Sequence, residues 1–440
     1  MYGWAGTVLR VDLSTGSISR EPLSEKLRLD YLGGRGINSR ILYDEVKAGT
    51  DPLGPDNKLI FGVTPLTGAG LIQAARCHAS AKSPLTGILG DSNVGGHFGP
   101  EVKWAGYDNI ILEGKADRPV YLWIDDEKVE IRDAVNLWGK TIPETYQGIW
   151  DELGDPRIRI TAIGPAGENL VRFACIVNDF GSAFGKTGTG AVMGSKNLKA
   201  IAVRGTKGTT VAKPDAFKSL ARDLNQRLTE KESYPVFSRH GTSFYLPYYN
   251  ELGMSVERNG QKIGDIEYID KFGIDVLEKY HTRNVACFGC IVHCKREFKV
   301  KKGVFEGLKG HGSEFCILSS HGPACGNSDI SSVFKINNIC NEYGVCGDTS
   351  GMVLAAAFEW YEKGLITDKD TDGIPLTWGN SDSQIKMLHK IINREGFGDV
   401  LADGSVRAAK KIGKDALKYI THAKGGDIDA VDLRATKGCT

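Results

Sequence analysis

Val8-Leu-Arg-Val-Asp-Leu13, a Ser-Thr-Gly turn and Ser17-Ile-Ser-Arg20 form the stretch from which the fold can first be inferred. Apolar and polar residues alternate in both halves, which is typical of half-buried strands, and the short turn predicts a β-hairpin. Outward from it, strands are predicted at residues 109–112, 120–124, 128–132, 157–163 and 198–203. Turn residues between neighbouring strands favour antiparallel pairing. Strands and helices do not alternate strictly, so we do not predict a Rossmann sheet.

The pattern becomes helical after residue 205. Lys213-Pro214-Asp215 can start a helix, because proline is favoured in the first helical turn. Apolar residues that recur every three to four positions predict helices at residues 216–228, 331–343, 351–363, 383–394 and 405–412. We therefore predict an α+β protein, with a β-rich domain at residues 1–208 and an α-helical domain or domains at residues 209–440.

Composition limits the class of protein. The 440 residues carry a formal net charge of +1, which gives no electrostatic reason to expect nucleic acid or an anionic membrane as partner. No apolar run is long enough to span a membrane. The first residues lack the basic and apolar regions of a secretory signal. Ten cysteines without such a signal favour a reducing compartment, the cytoplasm, and metal or redox chemistry over disulfides.

Cys287-Phe-Gly-Cys290-Ile-Val-His-Cys294 places three thiols within eight residues. Chance clustering of buried thiols is the weakest interpretation, because a core needs no such cluster. A zinc site completed by His281 or His293 is one alternative. A radical-type cluster is a second, although families that use it have the two gaps in the opposite order. A [4Fe–4S] cluster with a distant fourth cysteine is the third, and the spacing favours it over zinc.

Three glycine-rich segments lie in the β-rich region, at residues 32–36, 91–99 and 181–190. Glycines let backbone N–H groups approach phosphate oxygens closely. Each segment alone is more often an ordinary turn, and none matches a P-loop or dinucleotide fingerprint. Because Arg35, Arg76 and Lys186 accompany them, the three together favour a large phosphorylated cofactor.

Two further segments carry candidate site residues. Glu314 lies in a glycine-rich loop shortly after the cysteines. Such a glutamate is usually solvated, but beside a metal site it could act as a general acid or base. Asn341-Glu-Tyr-Gly-Val-Cys346-Gly-Asp348 follows a predicted helix that Gly344 ends. Taken alone, this is ordinary helix termination, and Cys346 is more often a small buried residue than a ligand.

Ordered blocks of the sequence resemble the tungsten-containing aldehyde:ferredoxin oxidoreductase family, and the resemblance covers nearly the whole chain. The blocks are residues 3–13, Gly33-Gly-Arg-Gly, residues 95–108, residues 188–203, the cysteine triplet and Gly312-Ser-Glu-Phe. The run of blocks is specific, whereas no single block would be.

The resemblance implies that the β-rich domain is the base for a bis-pterin tungsten cofactor (with molybdenum as the alternative metal) and that helical domains cover it. Cys287, Cys290 and Cys294 would hold a [4Fe–4S] cluster that carries electrons out. Asn93 and the Ala183 backbone would hold a Mg²⁺ ion that bridges the pterin phosphates. The residues implied to contact the cofactor are Arg76, Asn93, Gly95, Ser182, Ala183, Gly185, Lys186, Asn341, Cys346 and Asp348. Glu314 matches a Gly-Pro-Glu segment of the family, and we predict that it is the catalytic residue for proton transfer.

The chain departs from the family pattern at several positions. Ser182-Ala-Phe-Gly-Lys186 stands where the family has Arg-Ala-Ala-Gly-Arg, which removes one positive charge. Cys316 stands where many relatives have a second Glu. Asn341 and Cys346 stand where Asp is common in the pterin-binding turn. These differences leave the substrate class and the proton chemistry open.

Relatives continue past the position of Thr440, with a third domain that normally supplies the fourth cluster cysteine, a second pterin-binding turn and an active-site His. We therefore expect a fragment, a split gene product or a variant with a compensating partner. The candidates for a replacement cluster ligand are Cys316, Cys325, Cys340, Cys346 and Cys439.

The sequence thus predicts an oxygen-sensitive oxidoreductase of anaerobic cytoplasm that oxidises aldehydes to carboxylic acids. Electrons would leave through the cluster to ferredoxin or an electron-transfer subunit. One alternative is a reductase active-site subunit that acts on an aromatic or acyl-CoA substrate. Another is a non-catalytic cofactor-binding fragment. A homodimer is expected from the family alone.

Overall fold

The computed structural model describes residues 2–179 and 181–435. Its N-terminal part contains two six-stranded sheets. The strands of the first are β1 (Thr7–Asp12), β2 (Ser17–Pro22), β3 (Leu59–Val63), β4 (Cys77–Lys82), β5 (Leu89–Val94) and β6 (Asn109–Glu113). Their spatial order is β2-β1-β6-β3-β4-β5, with β1 and β6 parallel and the other pairs antiparallel.

The second sheet follows along the chain. Its strands are β7 (Val120–Asp125), β8 (Lys128–Asp133), β9 (Arg159–Ala162), β10 (Ile176–Asn178), β11 (Ser182–Phe184) and β12 (Leu198–Arg204). They are arranged in the order β11-β10-β9-β12-β7-β8, and only β7 and β12 pair in parallel. One hydrophobic cluster contains buried residues of both sheets, among them Leu9, Phe61, Leu122 and Ile201, so the two sheets share a core.

Helices connect these strands. They are α1 (Glu25–Tyr31), α2 (Arg35–Glu45), α3 (Phe98–Trp104), α4 (Ile142–Leu153), α5 (Pro165–Glu168) and α6 (Thr189–Ser195). Helix α4 shows why the local sequence folds in this way. Thr141 and Glu144 form a capping box at its start, and Gly154 ends it in the left-handed conformation, with φ of 71°.

The remaining chain is mostly helical. Its helices are α7 (Pro214–Thr229), α8 (Tyr234–His240), α9 (Tyr245–Glu251), α10 (Ile274–Leu277), α11 (Phe315–His321), α12 (Ile330–Tyr343), α13 (Gly347–Glu362), α14 (Ser381–Asn393), α15 (Phe397–Leu401) and α16 (Ser405–Ile412). Helix α13 is buried along almost its whole length and forms the centre of the largest hydrophobic cluster.

Small sheets interrupt these helices. Strands β15 (His281–Val285), β16 (Lys295–Lys299) and β17 (Lys309–His311) form an antiparallel three-stranded sheet. Strands β13 (Val256–Glu257) and β14 (Lys262–Ile263) form one two-stranded hairpin, and β18 (His422–Ala423) and β19 (Gly426–Asp427) form another.

The predicted α+β class is confirmed, with a β-rich N-terminal part followed by helical regions. The predicted hairpin is β1–β2, and the predicted helix at residues 405–412 is α16. The sequence missed the N-terminal helices, the three-stranded sheet and the parallel pairing of β1 with β6. The domain boundary near residue 208 stays a prediction. Within the described residues, no helix is both long and apolar enough to cross a membrane.

Candidate cofactor site

The cysteine loop, residues 287–294, connects β15 to β16. Cys287, Cys290 and Cys294 are half-buried free thiols. The loop begins as a tight turn, because the Cys290 N–H donates to the Cys287 carbonyl at 3.1 Å. Burial raises the pKa of the Cys294 thiol to about 11, and the charges of Glu314, Cys287 and Cys290 add to the effect. The three predicted cluster ligands therefore lie close enough together for the charges of Cys287 and Cys290 to act on the Cys294 thiol.

Side chains outside the loop hold its backbone. The Tyr234 hydroxyl donates to the Ile291 carbonyl at 2.9 Å, and the Asn284 amide donates to the His293 carbonyl at 2.9 Å. The Arg296 guanidinium donates to the Cys294 carbonyl at 2.6 Å. The surrounding chain thus fixes the shape of the loop at its middle and at its end.

The cysteine loop lies directly on the β-rich part. The Phe288 N–H donates to the Gly96 carbonyl at 3.2 Å, and the Phe288 ring contacts the Trp104 ring edge-on, with centroids 4.9 Å apart. A Cβ on Gly95 would lie 2.7 Å from the Cys287 Sγ, which is closer than van der Waals contact allows. A larger residue where strand β5 ends against the loop would therefore displace the Cys287 thiol.

Strands β4 and β5 present the predicted phosphate contacts beside this junction. Arg76 is exposed, and its Nη1 donates to the Asn93 Oδ1 at 2.8 Å. Gly95 follows Asn93 by two residues, and its carbonyl accepts the Asn178 amide at 3.1 Å. Asn93, Gly95 and the cysteine loop thus form one continuous unit of structure.

Residues 182–186 lie next to β5. The Ser182 hydroxyl accepts from the Lys295 ammonium at 2.9 Å, and the Gly185 carbonyl accepts from the Ser92 hydroxyl. Ala183 pairs with Val177 in the register of β10 and β11. These contacts place the third glycine-rich segment, residues 181–190, at the same edge of the fold as Asn93.

Lys186 joins this segment to the helical part of the chain. Its ammonium pairs with Asp348 and, at 2.5 Å, with Asp429. The backbone N–H of Lys186 donates to the Cys346 Sγ at 3.2 Å. Burial raises the pKa of Asp348 to about 7, although the Lys186 charge opposes the shift. The carboxyl of Asp348 therefore holds its proton more tightly than an exposed aspartate.

The predicted pterin-binding turn, residues 341–348, connects α12 to α13. Gly344 ends α12 with φ of 72°, and Cys346 caps the start of α13. The Asn341 amide donates to the His311 carbonyl at 3.3 Å. The turn therefore lies between β17 on one side and Lys186 on the other.

Glu314 directly precedes helix α11. One carboxylate oxygen accepts from the Arg296 guanidinium at 3.3 Å, and the other accepts from the Thr242 hydroxyl. Arg296 also donates to the Cys294 carbonyl, so one guanidinium ties Glu314 to the end of the cysteine loop. About a third of the Glu314 side chain is exposed, at 34%. The carboxylate is thus both anchored and accessible.

The candidate replacement ligands lie elsewhere. Cys325 and Cys340 are core residues, and burial raises the pKa of both thiols, that of Cys340 to about 12. Burial also raises the pKa of Cys316, whose charged neighbours include Asp348 and Cys346. Cys325 and Cys340 pack in the cluster around α13, whereas Cys316 lies two residues after Glu314, whose charge also acts on Cys294. Cys439 lies outside the described residues.

The zinc alternative gains no support from this geometry. His281 bonds the Asn284 side chain at 2.8 Å, and His293 is exposed. Within residues 2–179 and 181–435, no group of three or more His, Cys, Asp or Glu side chains is arranged to hold a metal ion. The cluster assignment stays a prediction, because this finding does not test it.

The site also contains residues that sequence reasoning missed. Arg296 bridges Glu314 and Cys294, and Lys295 reaches Ser182. Both directly follow the third cysteine, and this basic pair was the signal that could have drawn attention to them. Asp429 gave no comparable signal, because it reaches Lys186 from a loop far along the chain.

The donor set fits an anionic cofactor. Arg76 supplies an exposed positive charge, and Lys186 supplies a second one that it shares with Asp348 and Asp429. The backbone of Gly185 is partly exposed, whereas Gly95 and Gly96 are buried. Phosphate oxygens bind best to guanidinium, ammonium and backbone N–H groups. The cysteine thiols of the adjoining loop are the ligand type that iron–sulfur clusters use.

The comparisons with known proteins point to one class, oxidoreductases with a β-rich N-terminal domain and two further domains. Residues 8–205 match the family described as aldehyde ferredoxin oxidoreductase, N-terminal domain. Residues 219–440 match its companion, aldehyde ferredoxin oxidoreductase, domains 2 & 3. The chain belongs to the aldehyde ferredoxin oxidoreductase family, which confirms the predicted resemblance.

Curated relatives agree. The tungsten-containing aldehyde ferredoxin oxidoreductase of Pyrococcus horikoshii is 41% identical over 447 residues, which cover 100% of this chain and 72% of the relative. That of Pyrococcus furiosus is 40% identical over 442 residues, with the same coverage. The aliphatic sulfonate oxidoreductase, WOR-like subunit, of Pyrococcus furiosus is 32% identical and covers 99% of this chain and 72% of the relative.

A solved structure has the same fold. It is the active site complex BamBC of benzoyl coenzyme A reductase in complex with 1,5 dienoyl-CoA, with a TM-score of 0.88 and 34% identity. The match covers 98% of this chain and 66% of the other. The chain therefore spans about two thirds of the length of that solved protein.

Proposed function

We propose that this chain forms the tungstopterin and [4Fe–4S] part of an oxidoreductase that converts aldehydes to carboxylic acids and delivers the electrons to ferredoxin. The observation that carries the proposal is the contact between the cysteine loop and the Gly95–Gly96 segment. Residues assigned to the cluster thereby adjoin residues assigned to the pterin phosphates. Such proximity is what electron transfer between two cofactors requires.

When bound, the tungsten cofactor would supply two-electron redox chemistry, and the cluster would pass electrons on one at a time. Arg76, Lys186 and the Gly95 backbone would bind the phosphates, and Asn93 and Ala183 would hold Mg²⁺. Cys287, Cys290 and Cys294 would hold the cluster. The remaining pterin contacts would come from Ser182, Gly185, Asn341, Cys346 and Asp348.

Anaerobic metal analysis tests this assignment. The full chain is produced with tungstate and molybdate supplied, and we expect tungsten or molybdenum together with about four iron atoms per chain. Cys290→Ser should lower the iron content sharply. Cys340→Ala is the control, and it should keep the iron because Cys340 lies in the core beside Ser350. Zinc in place of iron, or no heavy metal and no iron, would contradict the proposal.

Glu314 is proposed to move a proton at the substrate. Arg296 and Thr242 hold the Glu314 carboxylate in place, and about a third of the side chain remains exposed. Glu314→Gln should lower kcat at least about 100-fold, because general acid–base groups typically contribute that much. Tungsten and iron contents should stay unchanged. The control is Glu306→Gln, an exposed residue of the loop before β17. Full kcat in Glu314→Gln with intact cofactor would refute the role.

A reductase active-site subunit is the second candidate. The 34% identity to a benzoyl coenzyme A reductase complex favours it, as does Cys316 at a position where many relatives have Glu. Turnover of aromatic acyl-CoA with a low-potential donor, without aldehyde oxidation, would select this candidate. Aldehyde oxidation with a dye acceptor would select the first. A metal-loaded chain with neither activity would point to a cofactor-binding fragment.

A further inference from the structure

A row of hydrogen bonds crosses from strand β4 to strand β5. His78 lies opposite Asn93 in the strand register, and its Nε2 is 2.8 Å from the Asn93 Nδ2. On the other side of the ring, the His78 Nδ1 is 3.1 Å from the Asp91 Oδ2. The Asn93 Oδ1 accepts from Arg76 at 2.8 Å. Four side chains are thus connected in the sequence Asp91, His78, Asn93, Arg76.

The groups at the two ends of this row, a guanidinium and a carboxylate, determine which side-chain atoms carry the hydrogens. A guanidinium has donors only, so the Asn93 atom that faces Arg76 must be the amide oxygen. The amide nitrogen then faces His78 and donates to Nε2, which must carry a lone pair. The single ring proton of His78 therefore sits on Nδ1 and is donated to Asp91, because a carboxylate only accepts.

The carboxylate end is firmly anchored. Arg35 donates to the Asp91 Oδ2 at 2.7 Å, and the Ser80 hydroxyl donates to the Oδ1 at 2.7 Å. With the bond from His78, three side chains thus donate to the Asp91 carboxylate, which can hold the His78 ring in one tautomer.

We propose that His78 and Asp91 are positioning residues that orient Asn93 and Arg76 for the phosphate groups of the cofactor. Asn93 keeps one N–H that the row does not use, and Arg76 keeps most of its five donors. Because the Asn93 side-chain oxygen is committed to Arg76, a cation at Asn93 would take the backbone carbonyl. The inference rests on the proposed function, in which Arg76 and Asn93 contact the pterin phosphates.

The tautomer of His78 tests the row independently of any cofactor. The full chain is labelled with ¹⁵N-histidine, and the His78 signals are assigned by their loss in His78→Gln. We expect a ring that is protonated at Nδ1 and accepts a hydrogen bond at Nε2. A proton on Nε2, or an imidazolium ring, would overturn the proposal, because either one would reverse the Asn93 amide.

Retention of tungsten tests the positioning role. His78→Phe removes the acceptor, and we expect tungsten to dissociate about tenfold faster, which corresponds to the loss of one orienting hydrogen bond. His78→Gln can place an amide oxygen near the Nε2 position and should retain tungsten better than His78→Phe. Thr145→Val is the control, since it removes one buried side-chain hydrogen bond, from Thr145 to the Thr141 carbonyl, outside the row.

The outcomes separate this inference from the proposed function. Equal tungsten dissociation rates for wild type and His78→Phe would overturn the positioning role. So would an equal acceleration in Thr145→Val, because it would show a general loss of stability. If the wild-type protein holds no tungsten or molybdenum, the proposed function fails, and the His78 tautomer alone then decides whether the row exists.

Discussion

At the scale of single residues, the pKa values of three aspartates near the candidate site are shifted in opposite directions. Hydrogen bonds keep the pKa of Asp91 low, whereas burial raises the pKa of Asp348 to about 7 and that of Asp427 to about 6. Asp427 accepts from the Ser405 hydroxyl through one oxygen, and its other oxygen is buried with no hydrogen-bond partner among the described residues. An ionised carboxylate in this position is poorly solvated, so the neutral acid is preferred.

Asp427 should therefore make stability depend on pH. Its folded-state pKa is raised from 3.8 to about 6, so the folded protein binds this proton more tightly than the unfolded chain. The contribution is complete below about pH 4 and is lost as the pH rises through about 6. Asp427→Asn removes the charge, and relative to wild type it should gain about 2 kcal/mol of unfolding free energy between pH 4.5 and pH 8, because about 1.5 pKa units separate pH 4.5 from the folded-state pKa and each unit corresponds to about 1.4 kcal/mol.

Urea denaturation of the two cofactor-free proteins at pH 4.5 and pH 8 measures this difference. Asp382→Asn serves as the control, because Asp382 is exposed in the first turn of α14. The control should shift stability equally at both pH values. If the difference in unfolding free energy between Asp427→Asn and wild type is the same at both pH values, burial does not raise the pKa of Asp427.

At the scale of elements, the end of β5 and the start of α3 determine where the cysteine loop docks. Gly96 has φ of 99°, and a Cβ there would lie 2.1 Å from the Asp179 Oδ2. Asp179 accepts the His97 N–H at 2.7 Å and fixes the entry to α3. Any side chain at position 96 must displace Asp179 and shift the carbonyl that receives Phe288.

Gly96→Ala should therefore weaken the docking of the cysteine loop. We expect it to lose bound iron and to unfold at lower denaturant concentration than wild type. Gly87→Ala is the matched control, because Gly87 has φ of 77° and no atom within 4 Å of its Cβ position. It should lose only about 1 kcal/mol from the left-handed backbone and keep its iron. Iron retained in Gly96→Ala would mean that the loop binds its cluster without this contact.

Local patterns explain which elements the sequence could predict. The β1–β2 hairpin alternates around a short turn, β7 is a short apolar run that ends before the turn to β8, and α12 ends at Gly344, so each was visible. Strand β16, Lys-Arg-Glu-Phe-Lys, is mostly charged and only partly buried, so its periodicity is weak. The pairing of β1 with β6 joins distant segments, and no local pattern encodes it.

At the candidate site, too, the sequence could predict only residues that lie close together along the chain. The cysteine triplet and the glycine segments were visible because their residues are close in sequence. The contact of Lys186 with Asp429 and that of Arg296 with Glu314 depend on how separate loops pack. The row from Asp91 to Arg76 needed the strand register, in which His78 lies opposite Asn93.

At the scale of the whole molecule, the β-rich part and the helical part share a core. One hydrophobic cluster contains Phe173 and Val171 together with residues of α12 to α16. Arg394 reinforces this junction at the end of α14. Its guanidinium donates to the carbonyls of Asn169 at 2.8 Å and Leu170 at 2.9 Å. It also pairs with Asp399 at 2.7 Å and Asp403 at 2.9 Å. The two parts should therefore unfold together.

Replacement of Arg394 by Met keeps an aliphatic side chain of similar length and removes the N–H donors of the guanidinium. Two backbone carbonyls and Asp399 then lose this partner, and Asp403 keeps Arg172 at 3.1 Å, so we expect about 2–3 kcal/mol of destabilisation. Arg239→Met is the control, because Arg239 pairs with Glu278 on the surface, where an ion pair contributes at most about 1 kcal/mol. Because the hydrophobic cluster is shared, Arg394→Met should lower the denaturation midpoint within a single transition and leave the slope unchanged. Two separate transitions in wild type would show that the parts are stable independently, and the junction at Arg394 would then not couple them.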